Sequence, residues 1–260
     1  MQRATFQSLV YYQFTRFCLC PEISHGIFTR LGGHSKPPWD SLNTGHSVGD
    51  DPAAVDANHL LICQALGLES IVSPHQVHGE TVGVVDEQDK DTVRPATDAL
   101  VSQTPGMLLM LRFADCTPIM LYDPQKQVMG LAHAGWRGTV LKIVRKTVST
   151  MIDRFSSHPS HIIAGIGPAI GPCCYEVGQE VVDAANDAFP RTPGVLVRQP
   201  NGRWHFDMWA ANRSQLEEMG VQQIETAGIC TACHVDEYFS HRAERGRTGR
   251  FAATIGLRLS

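Results

Sequence analysis

Residues 114–139 read ADCTPIMLYDPQKQVMGLAHAGWRGT, and this stretch decides the predicted fold of the chain. Two apolar runs, Thr117–Tyr122 and Val128–Ala132, flank a turn-forming DPQKQ segment. This pattern predicts two strands joined by a tight connection. Pairing the strands would bring Cys116, which precedes the first run, close to His133, which ends the second. A thiolate and an imidazole that meet at one edge of a sheet indicate either a metal site or a thiol nucleophile.

Strand and helix patterns lie on both sides of this stretch without regular βαβ alternation. Apolar residues from Val140 to Phe155 recur at helical spacing and predict one helix of about four turns. Before Pro52, Asp50 or Asp51 is suited to cap another helix. We therefore predict an α+β fold with mixed β-sheets, in a single domain of residues 25–260 that follows an N-terminal strand or extension at residues 1–24.

Composition excludes several classes of function. The chain has 260 residues, a net charge of −4 and a pI near 6.3, which argues against a nucleic-acid partner. No window approaches the roughly 18 to 20 uncharged apolar residues of a membrane span, and the N-terminus is not a convincing signal peptide. We therefore expect a soluble cytoplasmic protein without a membrane partner, a monomer or weak homo-oligomer. Its eight cysteines are expected to be reduced thiols.

The first candidate site combines His78, Cys116 and His133. Catalytic zinc sites usually take three protein ligands and leave the fourth position for water or substrate, and His/Cys/His supplies that number. On spacing alone, His75 could replace His78. A buried core cysteine remains the alternative interpretation of Cys116, because free cysteine is among the most buried residue types.

The same residues also fit nucleophilic catalysis. Cys116 as a thiolate, with His133 as its base, would make a cysteine hydrolase or transferase. Either Asp115 or Asp98 could orient the histidine. The residues alone do not separate this chemistry from the metal site, because both need cysteine and histidine in contact.

Basic residues near glycines suggest anion binding. Arg137 lies in a Gly-Trp-Arg-Gly turn before a helix, where the guanidinium and helix N-terminal amides would grip a phosphate or carboxylate. An exposed arginine in a surface turn is the alternative. The basic, glycine-containing segment 242–250 could close over an anionic substrate, or could be a solvated loop.

Two cysteine motifs carry less weight. Cys173 and Cys174 would form part of a second zinc site, but adjacent cysteines seldom ligate one tetrahedral ion well. The segment Cys230–His234 formally matches a c-type haem attachment pattern. We reject the haem interpretation, because we expect no export signal, see no obvious axial methionine and have a match of only three fixed residues.

Motifs along nearly the whole chain resemble those of one family. They are Thr29-Arg30, Gly32-Gly33, Leu42-Asn43, Gly49-Asp50, Gln76-Val77-His78-Gly79, Asp98-Ala99, Ala114-Asp115-Cys116, Ala132–Gly138, Ile166-Gly167-Pro168, Cys173 with Tyr175-Glu176-Val177, and Thr248-Gly249-Arg250. In order and spacing they resemble the laccase-domain family, also called multicopper polyphenol oxidoreductase-like. The segment Ser240–Glu244 departs from the family's commoner Tyr-Arg-Arg pattern.

The resemblance implies a fold and a metal. Members are similar in fold to putative cysteine hydrolases, with stacked α/β/β/α layers. They bind zinc through residues that correspond here to His78, Cys116 and His133, which selects His78 over His75. Copper is possible but less favoured, because one His/Cys/His site does not supply the several copper centres that phenol oxidation would require.

The resemblance also implies an activity. Members phosphorolyse adenosine, inosine, guanosine and methylthioadenosine and deaminate adenosine, so purine nucleoside and phosphate are the expected partners. Cys116, His133 and Arg137 are then the expected catalytic residues, and His34, Arg137 and Arg250 the expected substrate-binding residues. There are two alternatives. Some bacterial members resemble a cysteine-type amidase that edits peptidoglycan precursors, and the family name suggests a copper-dependent polyphenol oxidase activity.

Overall fold

Apolar runs of the sequence form most of the strands in the computed structural model, which describes residues 1–259. The strands are β1 (Gln2–Phe6), β2 (Leu9–Gln13), β3 (Ile23–Phe28), β4 (Ser70–Pro74), β5 (Val82–Val84), β6 (Val93–Arg94), β7 (Ala99–Ser102), β8 (Met107–Phe113), β9 (Thr117–Asp123), β10 (Val128–Ala134), β11 (Ile163–Ile166), β12 (Glu176–Val177), β13 (Leu196–Arg198), β14 (Trp204–Phe206), β15 (Gln223–Thr226) and β16 (Phe251–Leu257). The helices are α1 (Pro52–Leu66), α2 (Trp136–Val140), α3 (Ile143–Phe155), α4 (Gln179–Ala188) and α5 (Met208–Glu218).

The strands of residues 1–259 form three sheets. The first has the order β1-β2-β3-β16-β8-β4-β6, the second β15-β11-β9-β10-β7-β5, and the third β12-β14-β13. In the first sheet β4 runs parallel to β8 and β6, and in the second β5 runs parallel to β7 and β11 to β15, whereas the other pairs are antiparallel. The predicted α+β class with mixed sheets is confirmed.

The two larger sheets pack face to face and carry helices on their outer faces. Phe113 and Phe251 of the first sheet and Tyr122 and Leu131 of the second lie in the core between them. Side chains of α1 cover the outer face of the first sheet, and side chains of α3 and α5 cover that of the second. The result is a single domain with α/β/β/α layers. Of the helices within residues 1–259, none is long and apolar enough to cross a membrane.

Strands within the first 24 residues belong to the first sheet. Strands β1 and β2 form an antiparallel hairpin, and β2 pairs with β3. A short 3-10 helix, Phe17–Leu19, follows β2 and buries the Phe17 side chain.

Two local predictions were tested by helix geometry. Asp51 caps α1, since its side chain accepts a hydrogen bond from the Ala53 amide and Pro52 is the first helical residue. The prediction of one continuous helix from Val140 to Phe155 was wrong. Lys142 has a left-handed backbone conformation with φ of +64°, so the helix is interrupted between α2 and α3.

The central hairpin sets the position of the candidate site. Strands β9 and β10 pair antiparallel, with Ala134 opposite Thr117 and His133 opposite Pro118. Because Cys116 directly precedes β9, this register places it beside the end of β10. The cysteine and the histidine therefore meet at one sheet edge, as the sequence predicted.

Buried His25 should make the stability of the fold sensitive to acid. Its Nε2 accepts a hydrogen bond of 2.9 Å from the Phe14 amide, and burial lowers its pKa from 6.5 to about 4. Between pH 6.5 and about pH 4, His25 is therefore protonated in the unfolded chain but neutral in the folded chain. Its contribution to the free energy of unfolding should be fully present above pH 6.5. That contribution should fall by roughly 3 kcal/mol as the pH is lowered towards 4.

Urea unfolding between pH 4 and pH 7 measures this contribution. The variant His25→Gln should show a shallower dependence of unfolding free energy on pH than the unsubstituted chain, and exposed His34→Gln serves as the control with an unchanged slope. An identical slope in all three proteins would contradict the assignment.

Candidate active site

A cleft of about 960 Å³ opens at the edge of the sheet where β9 begins and β10 ends. Its wall contains His78, Cys116 and His133 together with Arg137 and Arg250. The other lining residues include Arg112, Asp115, Trp136, Ile170, Tyr175, Met208 and Arg242. The structure therefore brings five of the six predicted site residues to one cavity.

His78, Cys116 and His133 form a compact cluster. One ligand atom from each of the three lies within 4.8 Å of the others. The two imidazole rings meet edge to face, with centroids 4.8 Å apart. His133 is buried, Cys116 partly buried and His78 exposed, so the cluster faces the cleft on its His78 side.

Two residues of the cluster's loops adopt left-handed backbone conformations. Asp115 has a φ of +82° and His78 a φ of +59°, which are uncommon for residues with side chains. Such conformations persist where surrounding contacts hold them, and they concentrate at functional sites. The Asp115 carboxylate accepts hydrogen bonds of 2.7 Å each from Thr231 Oγ1 and the Arg242 amide, which fixes the turn into Cys116.

Asp98 ties the loop of His78 to the strand of His133. Its fully buried carboxylate accepts from the amides of residues 77, 78 and 79 at 3.1, 3.0 and 2.7 Å, and it lies 2.8 Å from His133 Nδ1. Burial raises the pKa of Asp98, but these partners together hold it below its usual range. Of the two aspartates suggested by the sequence, Asp98 is therefore the one that orients the histidine.

The environment of Cys116 favours its thiolate. Burial opposes the charge, but the charge of His133 and hydrogen bonds from His133 and His78 outweigh burial and lower the pKa of Cys116 to about 6. Burial likewise opposes protonation of His133, whereas the neighbouring Cys116 and Asp98 raise its pKa to about 9. A thiolate is the form that either binds a metal or attacks a substrate.

The donor set fits a zinc ion. With Nδ1 of His133 held by Asp98, its Nε2 is left for a ligand, in the carboxylate–histidine arrangement common at zinc sites. A side chain at Gly135 would intrude, because its Cβ would lie 2.8 Å from Cys116 Sγ and 3.2 Å from His78 Cδ2. Three donors, one of them a thiolate, match an open catalytic zinc site.

The predicted arginines lie on the cleft wall in different settings. Arg137 is 56% exposed, stacks over the Trp136 ring at 4.3 Å and lies 3.7 Å from Glu180, an exposed pair worth little energy. Arg137 is the second residue of α2, which has only five residues, so the predicted contribution of helix amides is weak. Arg250 is held in place, because its guanidinium donates to the carbonyls of Thr248 and Gly249.

His34 is not placed among the residues that line the cleft. Its side chain is exposed and its amide donates to Asn58 Oδ1. Two cleft residues, Tyr175 and Arg242, were not predicted individually, although Arg242 begins the segment 242–250 that could close over an anionic substrate. The Arg242 guanidinium lies over the Tyr175 ring at 5.3 Å. Tyr175 lay within a family motif, which was the available signal, whereas Arg242 lies where the chain departs from the family pattern.

Comparisons with known proteins find similar sequences and a similar fold. A family model described as "Multi-copper polyphenol oxidoreductase laccase" matches residues 24–258. Purine nucleoside phosphorylase YlmD of Geobacillus stearothermophilus is 41% identical over 245 residues, which cover 90% of this chain and 89% of the relative. The enzyme of the same name from Bacillus subtilis is 36% identical over 249 residues, with 91% and 89% covered. The crystal structure of YlmD from Geobacillus stearothermophilus superposes with a TM-score of 0.92 at 37% identity, and 98% of each chain is covered.

Removal of the Asp98 carboxylate should weaken metal binding. In Asp98→Asn an amide replaces an acceptor that both His133 and the His78 loop use, and the loss of such a partner typically costs 10- to 100-fold in metal affinity. The measurement is the zinc dissociation constant by competition with a chromophoric chelator. The control is Asp123→Asn, which replaces another buried carboxylate, at the end of β9 away from Cys116. This substitution should leave the constant unchanged. Equal constants for both variants would contradict the role of Asp98.

Proposed function

The chain belongs to the multi-copper polyphenol oxidoreductase laccase family, and we propose that it is a zinc-dependent purine nucleoside phosphorylase. The observation that carries this proposal is the His78–Cys116–His133 cluster in the wall of a cleft that is also lined by arginines. The names of the relatives support an enzyme that acts on nucleoside and phosphate.

The apolar wall of the cleft is suited to a purine base. Trp136, Ile170, Tyr175 and Met208 line it, and flat aromatic rings stack favourably on a heterocycle. The volume of about 960 Å³ is within the range of pockets that enclose small organic ligands. Adenosine, inosine, guanosine and methylthioadenosine are the proposed substrates, since all four present a purine to this wall.

The charged wall is suited to phosphate. Arg137, Arg242 and Arg250 line the same cleft, and guanidinium groups bind phosphate with paired hydrogen bonds. In phosphorolysis a phosphate oxygen attacks C1′ of the ribose as the purine leaves. The arginines hold the attacking anion and reduce its repulsion from the departing purine.

The cluster supplies the remaining chemistry. Zinc, when bound, would provide a Lewis acid at this position. Asp98 fixes the tautomer and direction of His133, and Cys116 contributes its thiolate. We propose adenosine deamination at the same site, in which water replaces the amino group at C6 of the base and ammonia leaves.

A product assay tests the lead proposal. Zinc-loaded protein given adenosine and phosphate should form adenine and ribose 1-phosphate by phosphorolysis and inosine by deamination, separated by chromatography. Cys116→Ala should lose at least 100-fold in both rates, and the exposed Cys18→Ser should keep them. Product formation no greater than that of Cys116→Ala would overturn the proposal.

A second candidate function is a cysteine-type amidase that acts on peptidoglycan precursors. The observation in its favour is the chain of contacts from Cys116 through His133 to Asp98, an arrangement also used by thiol nucleophiles. The expected likeness to cysteine hydrolases belongs with this candidate and stays a prediction. Copper-dependent phenol oxidation is not favoured, because the relatives described above are named as phosphorylases.

Alkylation separates the two functions. If Cys116 is a zinc ligand, iodoacetamide should modify it slowly in zinc-loaded protein and at least tenfold faster after chelation, because bound metal blocks the sulfur. Phosphorolysis should disappear with the chelator and return with zinc. Mass spectrometry of the Cys116 peptide measures the rate. Rapid alkylation of zinc-treated protein, with amidase activity that survives the chelator, would establish the amidase instead.

A further inference from the structure

A second group of sulfur atoms lies outside the His78–Cys116–His133 cluster. Cys173 and Cys174 lie in the turn at 171–175, and Cys230 and Cys233 lie in a turn after β15. All four Sγ atoms lie within 4.8 Å of one another, although the two pairs are far apart in the chain. All four are free thiols. Neither the function nor the mechanism described above uses them.

The spacing of these sulfur atoms matches a tetrahedral zinc site. Zinc–sulfur bonds of about 2.3 Å in a tetrahedron place the sulfur atoms about 3.8 Å apart. The Sγ of Cys233 lies 3.7 Å from that of Cys173 and 3.3 Å from that of Cys174. Small side-chain movements that bring each pair of sulfur atoms to about 3.8 Å would therefore complete the coordination sphere.

The turn that carries Cys230 and Cys233 has the form of a zinc-binding loop. The two cysteines have the C-x2-C spacing common in structural zinc sites. The Cys233 amide donates to the Cys230 carbonyl at 3.2 Å, which closes the turn. The Gly171 amide donates to Cys230 Sγ at 3.2 Å, a contact that would stabilise a coordinated thiolate.

The adjacent cysteines are less of an obstacle than the sequence suggested. The amides of Cys174 and Tyr175 both donate to the Gly171 carbonyl at 2.9 Å, so the backbone bends sharply at this point. This turn brings both sulfur atoms towards Cys233. From the sequence, Cys173 and Cys174 were expected to make a weak site, because the turn of Cys230 and Cys233 was not known to lie beside them. That turn supplies the other two ligands.

We propose that Cys173, Cys174, Cys230 and Cys233 bind a structural zinc ion that is separate from the cluster in the cleft. Four cysteine ligands leave no open position for water or substrate, so this ion has no catalytic part. Soft thiolate donors in tetrahedral array select zinc over harder ions such as magnesium or calcium. Two of the four cysteines are exposed, which gives the ion access from solvent.

The ion would join two loops that build the cleft. Tyr175, a cleft residue, directly follows Cys174, and Thr231 directly follows Cys230. Thr231 Oγ1 donates to the Asp115 carboxylate, which precedes Cys116. Zinc at the four cysteines would therefore hold the Tyr175 wall and the support of the Cys116 turn in one arrangement.

Metal stoichiometry tests this proposal without reference to activity. Protein that is purified with a reductant and then dialysed should contain two zinc ions per chain, as measured by inductively coupled plasma mass spectrometry. Cys233→Ser should contain one, Cys116→Ala should contain one, and the double variant none. Cys18→Ser, which removes an exposed cysteine outside both clusters, is the matched control and should retain two.

Cobalt provides a readout that survives if a zinc-site variant folds poorly. Cys116→Ala, in which the four cysteines are intact, should bind one cobalt ion with the intense sulfur-to-metal absorption of a tetrahedral four-thiolate site. Chelation of that ion should lower the Tm by roughly 5 °C or more. A single zinc per chain in both the unsubstituted protein and Cys233→Ser would overturn the proposal. So would a metal-free protein whose mass shows disulfides among these four cysteines.

Discussion

The buried carboxylate of Asp98 is the contact on which the arrangement of the site depends. A buried charge is costly unless hydrogen bonds satisfy it, and Asp98 has four partners within 3.1 Å. Three of them are successive backbone amides around His78, and the fourth is the ring of His133. One side chain at the start of β7 therefore sets the positions of two histidines that come from different parts of the chain.

The same contact explains the electrostatics of the cleft. By holding His133 through Nδ1, Asp98 directs the other ring nitrogen towards Cys116, and the proximity of the imidazole favours the thiolate. Metal binding and nucleophilic attack both need this thiolate, which is why the geometry alone serves two candidate functions. The arginines on the cleft wall, the size of the cleft and the names of the relatives favour the purine phosphorylase.

Much of this could be predicted from the sequence, because the central hairpin is a local structure. The alternation of apolar runs and a turn predicted that Cys116 and His133 would meet, and the paired strands confirm it. The choice between Asp98 and Asp115 could not be made, because it depends on how β7 pairs with β10. The contact between Cys173 and Cys233 could likewise not be predicted from the sequence, because it depends on two loops that follow different strands. The break at Lys142 was missed because the apolar pattern continues through it.

Anomalous diffraction across the zinc absorption edge, from crystals grown with zinc and adenosine, would show whether His78, Cys116 and His133 bind zinc. We expect a zinc peak about 2.3 Å from Cys116 Sγ and about 2.0 Å from a nitrogen of both His78 and His133, with its fourth position open to the cleft. No zinc peak at these three residues, with Cys116 Sγ free or covalently modified, would contradict a zinc-dependent function.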